Sequence, residues 1–217
     1  MSPFFQRYFL PKSSPTTPNH PIPNPSNPKQ YRAIGLIRGK YQMSPEKINR
    51  GYLIDVEGNI IRVVILGKVI SLIRKHLDLT KEYLWVVYPR TQVETGELHL
   101  QVVGVWQPEN VPNPPLNLPE RWFSIRGEVI RCDRRKQQVI IKIRQKPKQQ
   151  GEKPRFFKLQ LQGILPDKPE KHFWDLEVYL DQDKLFIRRA TDLGLLPQYQ
   201  KTKPILKTAK PRRSYKN

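Results

Sequence analysis

Between Trp122 and Ala190 the chain holds five short runs rich in Val, Ile, Leu and Phe, and several of them alternate strictly between apolar and polar side chains. From Arg155 to Gly163, Phe157, Leu159 and Leu161 fall on one parity, and Phe156, Lys158, Gln160 and Gln162 on the other. Successive residues of an extended strand face opposite sides, so this pattern commits the segment to half-buried strands. The preceding run does the same, with Ile141 and Ile143 against Lys142 and Arg144. Five such runs, FSIRGEVIRCD, QQVIIKIRQK, RFFKLQLQG, FWDLEVYLD and KLFIRRA, are separated by breaks rich in Asp, Gln, Gly and Pro. Two neighbouring strands would then share one apolar face and one basic face carrying an exposed ring.

The stretch before it has the same plan. RAIGLIRGKY (32–41) reads as a strand, and GYLIDVEG followed by NIIRVVIL reads as a hairpin turning at Glu57-Gly58-Asn59. In GKVISLIRKHLDL, Val69, Leu72, Ile73 and His76 recur at helical spacing, with Arg74, Lys75 and His76 opposing the negative end of the helix dipole. YLWVVYP and LHLQVVGVW complete the set. The predicted order is three strands, a helix and two strands.

A five-stranded barrel with its helix between strands three and four resembles an OB-fold. The resemblance rests on element order and length. It implies binding of oligonucleotides or oligosaccharides by strands two and three and by loops 1–2 and 4–5. The second half echoes the first: Arg38-Gly39 and Arg126-Gly127 both sit in a first strand, where glycine suits a sharp bend at a barrel corner. Only ILPDKPEKH separates its third and fourth strands, too little for the helix. The expected fold is mainly β, with two OB-like five-stranded barrels and disordered N- and C-terminal arms. The expected boundaries are a Pro-rich arm at 1–30, barrel one at 31–106, a Pro-rich linker at 107–120, barrel two at 121–197 and a basic tail at 198–217. A single larger β structure is the alternative.

The arm has eight prolines, which supply neither free φ nor a donor, and the linker has five. FFQRYF near the start is a docking peptide or packs back onto the nearer barrel.

Charge selects the partner. The chain carries 39 Lys+Arg against 19 Asp+Glu, a net +20. Residues 121–197 hold eighteen basic and ten acidic groups, and 198–217 hold seven basic and none acidic, so this half carries +15. Such an excess fits a polyanion. Arg134, Arg135 and Lys136 fall where loop 1–2 of the second barrel would be. Arg131, Lys142, Arg144, Lys146, Lys148, Arg155 and Lys158 extend the basic surface over its strands two and three. Phe156 stands among them, and Trp122 is a candidate second ring. Lys201, Lys203, Lys207, Lys210, Arg212 and Arg213 lie in the tail. Cations release counterions from phosphates and rings stack on unpaired bases, so RNA or single-stranded DNA is the expected partner. For Phe156 the competing reading is packing under the linker or against the first barrel. For the lysines it is an ordinary solvated sheet face.

The first barrel is less basic. Trp85, Tyr88, Trp106 and Tyr83 read as core or inter-barrel packing. Arg90 with the loop to Glu97, and Lys47 and Arg50, are its candidate contacts. It could instead dock on protein, which makes a ribonucleoprotein or polymerase complex a possible assembly.

Other chemistry finds no footing. One cysteine, Cys132, excludes an intrachain disulfide and points to a reducing compartment, so a cytoplasmic location is expected. No apolar run reaches the ~20 residues of a membrane helix. His20, His76, His99 and His172 are scattered. LGKVIS lacks the first glycine of a phosphate loop, and Val follows its Lys. Asp175, Glu177, Asp181 and Asp183 alternate with apolar residues, as a solvated strand or arginine partners would. The expected role is non-enzymatic, with no cofactor or metal.

Overall fold

The computed structural model describes residues 20–196, apart from 48, 108–114, 116, 146, 148, 150 and 167. The first half forms β1 (Arg32–Met43), β2 (Arg50–Ile54), β3 (Ile60–Ile65), α1 (Gly67–His76), β4 (Tyr83–Thr91) and β5 (Leu98–Trp106). The second forms β6 (Trp122–Asp133), β7 (Gln138–Arg144), β8 (Phe156–Gln162), β9 (His172–Asp181) and β10 (Lys184–Leu195).

Each half closes on itself in the same way. In the first, β1 pairs with β2 and β4, β2 with β3, and β4 with β5, all antiparallel, while β3 and β5 close the ring in parallel. In the second, β6, β7, β8, β9 and β10 repeat that pattern, with a single parallel β8–β10 pair, Gln162 with Phe186. Two OB-like barrels are therefore present, as the alternation predicts. Helix α1 buries Val69, Leu72 and Ile73 and ends on Arg74, Lys75 and His76. Among the described residues, the β8–β9 connection carries no helix. The β2–β3 turn is held by Asp55, whose Oδ1 accepts hydrogen bonds from the Glu57 and Asn59 amides at 3.0 and 2.8 Å, with Gly58 at φ +81°.

The repeated glycines do the same work twice. A Cβ on Gly39 would stand 2.4 Å from the Ile54 carbonyl oxygen, and one on Gly127 would stand 2.5 Å from that of Lys142. Each lets its first strand bend closely over the second.

What the sequence does not announce is how the barrels meet. β1 and β6 pair antiparallel, Arg32 opposite Arg126 through Leu36 opposite Trp122, so all ten strands form one continuous sheet. Gly35 faces Phe123 at this seam, and a Cβ there would overlap the ring at 2.2–2.5 Å. The ring fills the space the missing side chain leaves, and residues of both barrels join in one apolar core.

A second apolar cluster covers the outside of the seam. Ile34, Leu36 and Leu84 are buried beneath Ile22, with Val86, Tyr88, Trp106, Leu118 and Trp122 packed around them. Residues 20–30 take no helix or strand, yet they lie across the junction. Arg32 donates to the Pro23 carbonyl and to Ser124 Oγ, both at 2.6 Å. Arg126 donates to the Pro28 carbonyl at 2.7 Å and pairs with Asp175 at 3.1 Å. Burial, then the neighbouring Arg126, lowers the Arg32 pKa to about 10. Buried polar groups need partners, and here the main-chain carbonyls of Pro23, Asn27 and Pro28 in the strap supply three of them.

Arg121 fastens the barrels at another point. Its side chain is buried, donating to the Leu180 carbonyl at 2.9 Å and to Glu57 at 2.6 Å, with buried Asp55 at 3.4 Å. The β2–β3 turn of one barrel is thus tied to the other.

Candidate nucleic-acid interface

The β7–β8 ladder sets which side chains share an outer face. Its register pairs Lys142 with Lys158 and Arg144 with Phe156. Val139, Ile141, Ile143, Leu159 and Leu161 point inward and are buried. The outward set is therefore Gln138, Ile140, Lys142 and Arg144 on β7, and Phe156, Lys158, Gln160 and Gln162 on β8. Phe156 is 61% exposed, so the first barrel does not bury it; most of the linker lies outside the described residues. Arg144 and Lys158 are exposed beside it.

Three contacts order this surface. The Lys142 ammonium lies 5.9 Å from the centre of the Phe156 ring. The Arg144 guanidinium lies 5.6 Å from the centre of the Tyr31 ring, on the segment entering β1. The Tyr31 ring meets Phe173 edge-on at 5.0 Å, and burial raises its pKa. Lys142 also forms an ion pair with Glu128 of β6. The outward positions of β7 and β8 carry no acid, but the adjoining strand supplies one, and Lys142 is partly neutralised by it. Lys158 makes no ion pair among the described residues.

The loop 1–2 cations lie at the far end of the hairpin. Arg134, Arg135 and Lys136 are exposed in the turn after β6, and the Lys136 amide donates to Asp133 at 3.1 Å. Arg131 is exposed, with Asp133 3.7 Å away. The six-residue rise from Gln138 to Arg144 separates this turn from the Arg144–Phe156 end by about 20 Å. Of the predicted residues, Lys142, Arg144, Phe156 and Lys158 share the outer face of this hairpin, Arg134, Arg135 and Lys136 lie in the turn that leads into it, and Arg131 lies on β6. Arg155, beyond Phe156, pairs with Glu152 at 2.8 Å. Lys146, Lys148 and the tail residues Lys201, Lys203, Lys207, Lys210, Arg212 and Arg213 lie outside the described residues, as does FFQRYF.

Two expectations change. Trp122 offers no second ring, because it is packed into the outer apolar cluster. Arg90 is occupied within the molecule: its guanidinium sits 3.8 Å from the centre of the Phe157 ring, and burial lowers its pKa. Beside it, Thr91 Oγ1 accepts a hydrogen bond from the Gln160 amide at 3.2 Å. Tyr31 was not among the predicted site residues. Its place beside Arg144 depends on β1–β6 pairing between barrels, which alternation within one run cannot reveal.

The outer face of β2–β3 in the first barrel is different. Tyr52 pairs with Arg62, and Ile54 with Ile60, which is 69% exposed. Arg62 is in turn paired with Glu97 at 3.3 Å. Trp85 is buried and donates to the Gly39 carbonyl at 2.9 Å, while Tyr88 and Trp106 pack in the outer cluster.

Comparison with known families identifies both halves. Residues 33–113 match the N-terminal OB-fold domain of PatR RNA-binding protein. Residues 125–194 match a cyanobacterial OB-fold-like RNA-binding domain, C-terminal. The chain belongs to the PatR RNA-binding protein family. No curated protein matches it. PatR-family membership names RNA among the polyanions that the chain's charge allows.

Neighbouring acids in this PatR-family chain serve as arginine partners: Asp175 for Arg126, Glu177 for Arg189 at 3.7 Å and Asp181 for Arg121 at 3.9 Å. Among the described residues no group of three His, Cys, Asp or Glu could hold a metal ion, and no helix is long and apolar enough to cross a membrane.

Proposed function

We propose that this protein binds single-stranded RNA along the outer face of the β7–β8 hairpin, as a non-enzymatic cytoplasmic binding protein. The observation carrying this reading is the row Lys142–Lys158 and Arg144–Phe156, with an exposed ring among cations on one face. A single strand offers both of the groups this row suits: phosphates for the cations and unstacked bases for the ring. Arg131, Arg134, Arg135 and Lys136 extend the path at one end of the hairpin, and Lys146 is a further contact by its charge. The basic tail, including Lys201, Lys203, Lys207, Lys210, Arg212 and Arg213, captures the strand electrostatically before it seats.

The test is titration of a fluorescent single-stranded RNA against wild type, Phe156→Ala and Lys158→Glu. Phe156→Ala should weaken binding by ~1–3 kcal/mol, the worth of one base stack. Unchanged affinity in both variants would remove the face from the reading.

A docking role for the first barrel, on a ribonucleoprotein or polymerase complex, is favoured by exposed Ile60, Tyr52 and Val56 on or beside its β2–β3 hairpin. Association that survives ribonuclease and is lost in Ile60→Glu would support it.

A further inference from the structure

We propose that Arg144, held by Tyr31 across the barrel junction, is a preformed stacking plane for an RNA base, so that the RNA site is composite and uses both barrels. This rests on the β7–β8 reading above and extends it beyond the second barrel. Arg144 is the last residue of β7 and is exposed. An exposed arginine normally samples many rotamers, and a ligand must order it at a cost in entropy. Here the guanidinium lies over the Tyr31 ring, 5.6 Å from its centre. Tyr31 is itself fixed, half-buried and edge-on to Phe173, which β9 buries in the core. The seam pairing of β1 with β6 brings Tyr31 to this spot. Phe156 is the direct cross-strand partner of Arg144.

The result is a phenyl ring and a guanidinium plane side by side, the second backed by a phenol ring. Planar guanidinium groups stack on bases as aromatic rings do, whereas a lysine ammonium is a point charge. Two adjacent platforms suit two neighbouring unpaired bases. Tyr31 acts through Arg144 and is a positioning residue.

The discriminating variant is Arg144→Lys, which keeps the charge and discards the plane. Anisotropy titrations with labelled single-stranded RNA compare wild type, Arg144→Lys, Arg144→Ala, Tyr31→Phe, Tyr31→Ala and Phe156→Ala. They are run at two salt concentrations, with a thermal melt of each variant. Arg144→Lys should bind about fivefold more weakly, the low end of the worth of one base stack, with the salt slope of wild type. Tyr31→Phe should bind as wild type. Tyr31→Ala should weaken binding less than Arg144→Ala, and in the Arg144→Lys background it should add nothing. Wild-type affinity in Arg144→Lys would overturn the proposal, leaving Arg144 as a phosphate contact only. So would an equal further weakening from Tyr31→Ala in both backgrounds. If Phe156→Ala weakens binding and Arg144→Lys does not, the composite site alone fails. If neither does, and Lys158→Glu also binds as wild type, the β7–β8 reading fails and the composite site with it.

Discussion

Gly35→Ala tests whether the two barrels are one folded body. The added Cβ would stand 2.2–2.5 Å from three atoms of the Phe123 ring, one of them Cγ, well inside the 3.5–4.0 Å of a normal carbon contact. Cγ is the near end of the side chain, so a rotation of the ring tip relieves nothing there. Phe123 is fully buried in the shared core, so relief requires moving the ring into its neighbours or parting β1 from β6. Overpacking of this kind costs about 1–3 kcal/mol. At a urea slope of ~2 kcal/mol per molar, a destabilisation of ~2 kcal/mol moves the midpoint by about 1 M. The partner perturbation, Phe123→Ala, empties the same space and should cost about 3–5 kcal/mol. The two are not independent. In the double variant the alanine at 35 meets no ring, so its cost should fall to near zero, and the coupling recovers most of the Gly35→Ala penalty. The assay is urea unfolding followed by tryptophan fluorescence and far-ultraviolet circular dichroism. A single coincident transition is expected in wild type. Additive destabilisation, or Gly35→Ala with wild-type stability, would refute the seam packing. Two separate wild-type transitions would refute the single body.

Four further outcomes are expected. Removing residues 198–217 should lower RNA affinity and flatten its dependence on log salt, by up to ~0.7 for each phosphate that the tail neutralises; an unchanged slope would exclude the tail from binding. Arg121→Ala leaves Asp55 buried beside a missing cation and should cost about 3–5 kcal/mol in urea unfolding, much of it recovered by Asp55→Asn in the same chain. Gly39→Ala and Gly127→Ala, each driving a Cβ against a carbonyl oxygen, should both destabilise, and a benign outcome at either would contradict the matching bends. Burial, then nearby Arg90, lowers the His99 pKa. The unfolded chain therefore takes up the proton first, and stability should fall as pH drops through the unfolded value of about 6.5 and below. His99→Gln should flatten that limb in pH-dependent melts.

Strands, turn and helix were legible because each is written in local order. Alternation in 155–163 and 141–144 gave β8 and the end of β7 their inward and outward sets, and Val69, Leu72 and Ile73 gave α1 its buried face. Arg38-Gly39 and Arg126-Gly127 marked the duplication, and their bends turn out to be equivalent. The seam was not legible. Gly35 looks like any strand glycine until Phe123 is opposite it, and that pairing spans 88 residues of sequence. The candidate face was half legible. Phe156 and Lys158 followed from parity, but Tyr31 beside Arg144, Arg90 beneath Phe157 and Glu128 against Lys142 are all set by neighbours from other strands. Trp122, a candidate second ring, misled for the same reason: the seam packs it into the second apolar cluster.

The seam also explains why unlike halves are joined. Gly39 and Gly127 are equivalent and lie 88 residues apart, and Gly35 and Phe123 have the same separation. The residues that face each other at the seam are thus the same position in the two barrels, as at the axis of a symmetric dimer. True symmetry there would be unfavourable. Two phenylalanines would occupy one space, and two glycines would leave a void in the core. One large and one absent side chain satisfy the position, which disfavours β1 pairing with β1, or β6 with β6, of another chain. The same seam pairing brings Tyr31, on the segment leading into β1, against β9 and the end of β7. The contact that makes the two barrels one body is therefore also what delivers a ring from the first to the candidate RNA face of the second.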